Sequence, residues 1–182
     1  DSGSVWSLFE VNKERNQVTV KGRNTVSGVT VSYTGDAVIL SLPLTILRQL
    51  NLPLNLELQK ALAGITYMPS TKILLQFRKR FCEDVVGQGG FTKTNVPIGE
   101  IQYHGWDGSP YMTKDRGILL SYTWGQDILT LGGQTTDQAV ASALRELCDI
   151  HPEAEKYFEH GVVQSWFTEP AAQEAYAYLH PS

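Results

Sequence analysis

Residues 35–81 read GDAVILSLPLTILRQLNLPLNLELQKALAGITYMPSTKILLQFRKRF, and the placing of apolar and chain-breaking residues in this stretch decides the kind of fold. Ala37 to Leu40 is a continuous apolar run, which predicts a strand covered on both faces. Pro43 and Pro53 then break the chain into short segments. Leu58, Ala61, Leu62 and Ile65 recur at steps of three and four, predicting a helix with one face laid on something. Ile73, Leu74, Leu75 and Phe77 make a second buried strand, with Lys72 at its mouth.

Towards the N-terminus, residues 5–33 alternate in period two around a polar turn at Asn12 to Asn16 and a break near Asn24. They read as two or three antiparallel strands joined by tight turns. Towards the C-terminus, Glu100 to His104 alternates as a strand, and 106–116 is a loop rich in Gly, Pro and Asp. Gly117 to Trp124, GILLSYTW, is another apolar strand. Thr136 to Leu147 is amphipathic, with Thr136 or Asp137 as N-cap and Ala139, Val140, Ala143, Leu144 and Leu147 as the buried stripe. His151-Pro152 ends it. Pro152 opens a short helix that Gly161 stops, and Val162 to Phe167 is the last strand. Strands first, then strand, helix, helix and strand give an α+β fold with a mixed β-sheet and flanking helices.

The bulk composition excludes several classes. With 182 residues, 42% apolar and 19% charged, the chain has the composition of a globular domain. A net charge of -4 gives no reason to expect nucleic acid or an anionic membrane surface. Cys82 and Cys148 stand apart without metal-ligand spacing, so no metal site is expected. No apolar run approaches the roughly 18–20 residues of a membrane span and no targeting pattern opens the chain, so the compartment stays unassigned. Gly87, Gly89 and Gly90 imitate a phosphate cradle, but no strand-to-helix step comes after them and a loop is the better reading. There is no GxGxxG, no GxSxG and no HExxH, and the histidines lack partners at ligand spacing. Residue chemistry alone stops at an α+β domain rich in aromatics.

The segments VILSLPLTIL, TKILLQFRKRF, FTKTNVPIGEIQYH, GILLSYTWGQD and VVQSWFTEPAAQEAYAYLHPS, in this order and spacing, resemble the flavin-dependent amine oxidases, in particular their L-amino-acid oxidase branch. The resemblance implies FAD as cofactor and a role for five positions. Lys72 would be catalytic, bonding a water beside flavin N5. Tyr122 would donate its hydroxyl to the substrate carboxylate, and Tyr176 would lie beside the substrate side chain. Trp166 would pack on the isoalloxazine, and the backbone at Leu8 would hold the adenine. Lys72, Tyr122 and Leu8 each have a plainer alternative: a snorkelling lysine, a core tyrosine, an ordinary strand residue.

By the same resemblance, residues 1–50 are a β-meander contributing to the FAD-binding lobe and 51–182 a substrate-binding lobe. Departures are visible. Glu174 and Ala175 precede Tyr176 where the family usually has a glycine, and Gly99 and Glu100 come after the Pro-Ile pair where it often has arginine. The pyrophosphate-binding GxGxxG and the closing glycine–glutamate motif do not occur in these residues. The chain is therefore expected to be part of a longer L-amino-acid oxidase and inactive alone. Its partners would be the remaining FAD-binding segments, an amino acid or amine, and a second copy in a homodimer. Alternatives are an amine oxidase or an aromatic amino-acid monooxygenase of the same family, or a binding domain that has lost the chemistry. A true fragment should expose apolar surface around Tyr122 and Trp166; a free-standing domain should not.

Overall fold

A computed structural model describes residues 6–14, 16–83, 89–104, 115–125 and 127–179. These fall into two compact units: one runs through Tyr67 and takes in the residues from Glu169 on, the other is Met68–Thr168.

The first unit contains a three-stranded antiparallel meander, β1 (Trp6–Glu14), β2 (Gln17–Asn24) and β3 (Thr30–Gly35). Its first hairpin is tighter than the polar stretch suggests, since Glu14 pairs directly with Gln17. Asn24 builds the second turn: its side-chain oxygen accepts from the amides of Val26 and Ser27, and Gly28 supplies the positive φ of 71°. The β1–β2 register slips between Leu8 and Glu10. Such a bulge leaves one residue of the strand without a ladder partner.

Beyond Gly35 the expectation of a covered strand fails. Residues 37–41 are not laddered, and Ile39 is 93% exposed. An apolar run becomes a buried strand only when other strands flank it, and the described residues provide none. The helices α1 (Leu44–Leu47) and α2 (Leu56–Gly64) come next. Asn55 caps α2 by accepting from the Leu58 amide at 2.9 Å. Arg48 closes its other end by donating to the carbonyls of Leu62 and Ile65. No residue of α2 is fully buried: of the predicted stripe, Leu58 is 53% exposed and Ala61 is exposed, while Leu62 and Ile65 are half-buried, so the stripe is covered only in part. The short strands β4 (Thr66–Met68) and β10 (Tyr176–Tyr178) pair with each other, a ladder that the sequence did not suggest.

The second unit holds a five-stranded sheet in the order β6-β7-β8-β5-β9, made of β5 (Thr71–Phe77), β6 (Phe91–Lys93), β7 (Glu100–Tyr103), β8 (Gly117–Thr123) and β9 (Phe158–Ser165). The α+β class holds; within it, these four ladders all run antiparallel rather than mixed. Alternation sorts β5 cleanly: Thr71, Ile73, Leu75 and Phe77 are buried, while Lys72, Leu74 and Gln76 lie half-buried on the other face.

The buried face is covered by helix. After α3 (Asp127–Gly132), α4 (Thr136–Ile150) buries Ala139, Val140, Ala143 and Leu147, as its periodicity predicts. Its cap is Thr135, one residue earlier than expected, in a capping box with Gln138. The turn α5 (Ala154–Tyr157) leads straight into β9, so Gly161 is not a helix stop. Gly161 lies in the strand because a Cβ there would meet both Val140 methyls at 2.9 Å and Leu75 Cδ2 at 3.0 Å. β9 ends at Ser165, and Trp166–Thr168 form a 3-10 turn instead of more strand.

Aromatic rings and two titratable groups fill the end of this core. Phe81 packs edge-on against Phe77 at 5.1 Å and against His151 at 5.9 Å. The Tyr103 hydroxyl lies 2.8 Å from His151 Nε2 and 3.1 Å from the Thr92 hydroxyl. Burial pushes the Cys82 thiol up to about 12, so it is an unreactive packing residue. Burial likewise lowers the His151 imidazole from its ordinary 6.5, partly offset by Glu153.

Two consequences are measurable. Gly161→Ala should destabilise the protein by about 1–3 kcal/mol in denaturant titration, because α4 must lift off the sheet. On acidification from about pH 7.5 to about pH 5, the unfolded chain binds a proton at residue 151 before the folded state does, so stability falls with pH. Thermal melts should show this slope, and His151→Gln should flatten it.

Candidate functional site

The half-buried face of the sheet carries the candidate chemistry. Lys72 on β5 pairs with Tyr122 on β8 and with Gln164 on β9, and Tyr122 pairs on its other side with Glu100 on β7. The period-two register therefore sets these four side chains in one row across the sheet. The Lys72 ammonium lies over the Tyr122 ring, 4.9 Å from its centroid, a cation–π contact at a half-buried position. Tyr122 also meets Trp124 edge-to-face, with centroids 5.0 Å apart and planes at 71°.

The backbone beneath this row is fixed from several directions. The Thr123 hydroxyl donates to the Thr71 carbonyl at 3.1 Å, and the Ser121 hydroxyl donates to the Ile98 carbonyl at 2.7 Å. The turn before β7 is closed by Thr94, whose hydroxyl and amide both bond the Gly99 carbonyl. Gly99 has φ 69°, and a Cβ there would lie 2.8 Å from the Tyr122 carbonyl. A glycine is thus required by backbone approach at this point. Glu146 of α4 anchors the same turn by accepting from the Ile98 amide at 2.7 Å, and burial raises its carboxyl.

Trp166 begins the 3-10 turn just past β9, and its amide donates to the Ser70 carbonyl at 3.1 Å. It stands at the same end of the sheet as Lys72 and Tyr122. The structure thus brings Lys72, Tyr122 and Trp166 to one end of one sheet. Tyr176 and Leu8 belong to the first unit, Tyr176 opening β10 and Leu8 in β1 at the register slip opposite Gly22. Gly87 of the glycine-rich passage lies outside the described residues; Gly89 and Gly90 have φ near 100° in a loop. Among the described residues no cluster of His, Cys, Asp or Glu could hold a metal, and no helix is long and apolar enough to cross a membrane.

Trp124 was given no role by the sequence. The signal was there, because in SYTW the alternation that turns Tyr122 outward turns Trp124 to the same face.

The family model of the flavin containing amine oxidoreductases matches residues 6–182. The chain belongs to this family. Among curated relatives, the L-amino-acid oxidase of Siganus canaliculatus is 29% identical over 174 residues, covering 94% of this chain and 33% of the relative. That of Mus musculus is 28% identical over 154 residues, covering 82% and 24%. The chain thus spans a third or less of the length of these relatives. Among solved structures, cyclohexylamine oxidase from Brevibacterium oxydans superposes with a TM-score of 0.76 at 11% identity, over 97% of this chain and 38% of that one. Putrescine oxidase bound to putrescine gives 0.72 at 17% identity, over 94% and 36%. At such identities the structural likeness establishes the amine-oxidoreductase fold.

Gly99→Ala should strain the left-handed backbone and push on the Tyr122 carbonyl. The expected result is a drop in melting temperature together with altered near-ultraviolet dichroism from the Tyr122–Trp124 pair, against a Gly132→Ala control that perturbs the opposite face.

Proposed function

We propose that this chain is the substrate-facing part of an FAD-dependent L-amino-acid oxidase, inactive without the rest of that protein. The observation that carries the reading is the Lys72–Tyr122 contact on the half-buried face of the sheet, in a chain related throughout to L-amino-acid oxidases. An ammonium over the ring of a phenol, with a hydroxyl on that same ring, suits an anionic group next to a redox centre better than it suits an apolar amine.

The donors present fit FAD in part. A face bearing aromatic rings and one cation suits the flat, electron-accepting ring, and the slipped register at Leu8 suits backbone contact with a base. Trp166 would pack on the ring system, Lys72 would bond a water beside it, and the backbone at Leu8 would hold the adenine. When bound, FAD supplies the two-electron acceptor for the substrate α-C–H bond, giving an imino acid that hydrolyses to a 2-oxo acid and ammonia while oxygen becomes hydrogen peroxide. Tyr122 binds and orients the substrate by donating its hydroxyl to the carboxylate. Lys72 holds a water in place through its ammonium protons, and Trp166, at the same end of the sheet, excludes bulk water from that side.

The exposed Ile39 and the exposed Leu56 and Leu58 of α2 support a chain that works within a larger protein, over a free-standing binding domain. The amine oxidases named among the solved structures share the fold, and a carboxylate-binding Tyr122 favours amino acids over simple amines.

In the flavin-loaded, full-length oxidase, Tyr122→Phe should raise KM for L-amino acids roughly tenfold or more with a smaller change in kcat, as expected for a lost hydrogen bond to a charged group. Lys72→Met should slow flavin reduction or reoxidation in stopped-flow absorbance. Peroxide from the 182-residue chain given FAD and amino acids would overturn the claim that it is inactive alone.

A further inference from the structure

Resting on the reading that Tyr122 receives the substrate carboxylate, we propose that Trp124 is a positioning residue that clamps the Tyr122 ring and so fixes where its hydroxyl points. Trp124 comes directly after the last residue of β8, and Gly125, with φ 76°, turns the chain away immediately beyond it. The indole is 40% exposed, yet it does not extend freely into solvent, because it stands edge-to-face on the phenol at 5.0 Å.

The phenol has the Lys72 ammonium over its face at 4.9 Å and the Trp124 indole against it at 5.0 Å. Its backbone is already fixed by the Gly99 approach and by the ladders to β5 and β7. What remains to be fixed is the side-chain torsion. The hydroxyl lies at the far end of the ring from Cα, so a modest rotation about χ1 carries it beyond hydrogen-bond reach of a bound carboxylate. A single flexible lysine leaves that rotation open on its other side; a rigid indole closes it. The clamp acts on the carboxylate end of the substrate, so its removal should weaken every carboxylate-bearing ligand alike, whatever the side chain.

The test uses the flavin-loaded, full-length oxidase, with benzoate as a carboxylate probe in isothermal titration calorimetry, and L-alanine and L-phenylalanine as substrates. Trp124→Ala should weaken benzoate and raise KM for both substrates by about three- to tenfold, with kcat nearly unchanged. Trp124→Phe should restore most of the loss. The double variant Trp124→Ala with Tyr122→Phe should bind benzoate no more weakly than Tyr122→Phe alone, since the clamp acts only through that hydroxyl. If Trp124→Ala does not retain flavin, Trp124→Leu, which keeps bulk and loses the ring, serves for the same comparison.

A KM rise confined to L-phenylalanine would overturn the inference and make Trp124 a wall for the side chain. Additive losses in the double variant would overturn it too. If Tyr122→Phe weakens benzoate while Trp124→Ala does not, the clamp alone fails. If Tyr122→Phe leaves benzoate binding unchanged, the carboxylate reading fails and the clamp with it.

Discussion

Strand β5 is laddered on both edges, by β8 and by β9, and its side chains alternate strictly between two faces. A slip of one residue would drive Lys72 into the hydrocarbon core and turn Ile73 and Leu75 outward, so burial on one face dictates placement on the other. The candidate chemistry depends on this. Tyr122 stands opposite Lys72 because Ile73, Leu75 and Phe77 must lie under α4, and no separate device is needed to bring the ammonium to the phenol. The same ladder brings Thr71 between Thr123 and Ser165, where hydroxyls bond across the strands at the edge of an otherwise apolar layer. Gly132 keeps α3 close to these hydroxyls, since a Cβ there would meet Thr71 Oγ1 at 2.7 Å and Ser165 Oγ at 2.8 Å.

Much of this unit was legible in the residues because its strands and helix bury their apolar sides within the described chain. TKILLQF, GILLSYT and the stripe from Ala139 to Leu147 obey their periods, and the sheet face of Lys72 and Tyr122 follows from parity. What stayed hidden was mostly long-range. Gly161 looks like a breaker because nothing in its neighbourhood announces Val140 above it. Gly99 looks like an odd replacement because its reason is the carbonyl of Tyr122, 23 positions along the chain. The pairing of β4 with β10 joins residues more than a hundred positions apart. The family resemblance rested on ordered motifs and was upheld; the roles assigned to Leu8, Lys72, Tyr122, Trp166 and Tyr176 are of a different kind, since they concern a cofactor and a substrate.

The error at Ala37 to Leu40 is informative in the opposite direction. A continuous apolar run needs strands on both sides, and the described residues do not supply them. The helix α2 repeats the case in part, with Leu58 and Ala61 of its stripe exposed and Leu62 half-buried. Pattern reports the appetite of a segment for burial; whether that appetite is met depends on what else is folded beside it.

An apolar segment whose amides and carbonyls are not laddered is also an adhesive. Residues 37–41 include the β-branched Val38 and Ile39 and form no ladder among the described residues, and Ile39 projects almost wholly into water. Such a segment joins whatever sheet edge it meets, including that of another copy. For anyone preparing this chain by itself, the choice of concentration, salt and detergent is then governed by five residues that have nothing to do with the chemistry of the site.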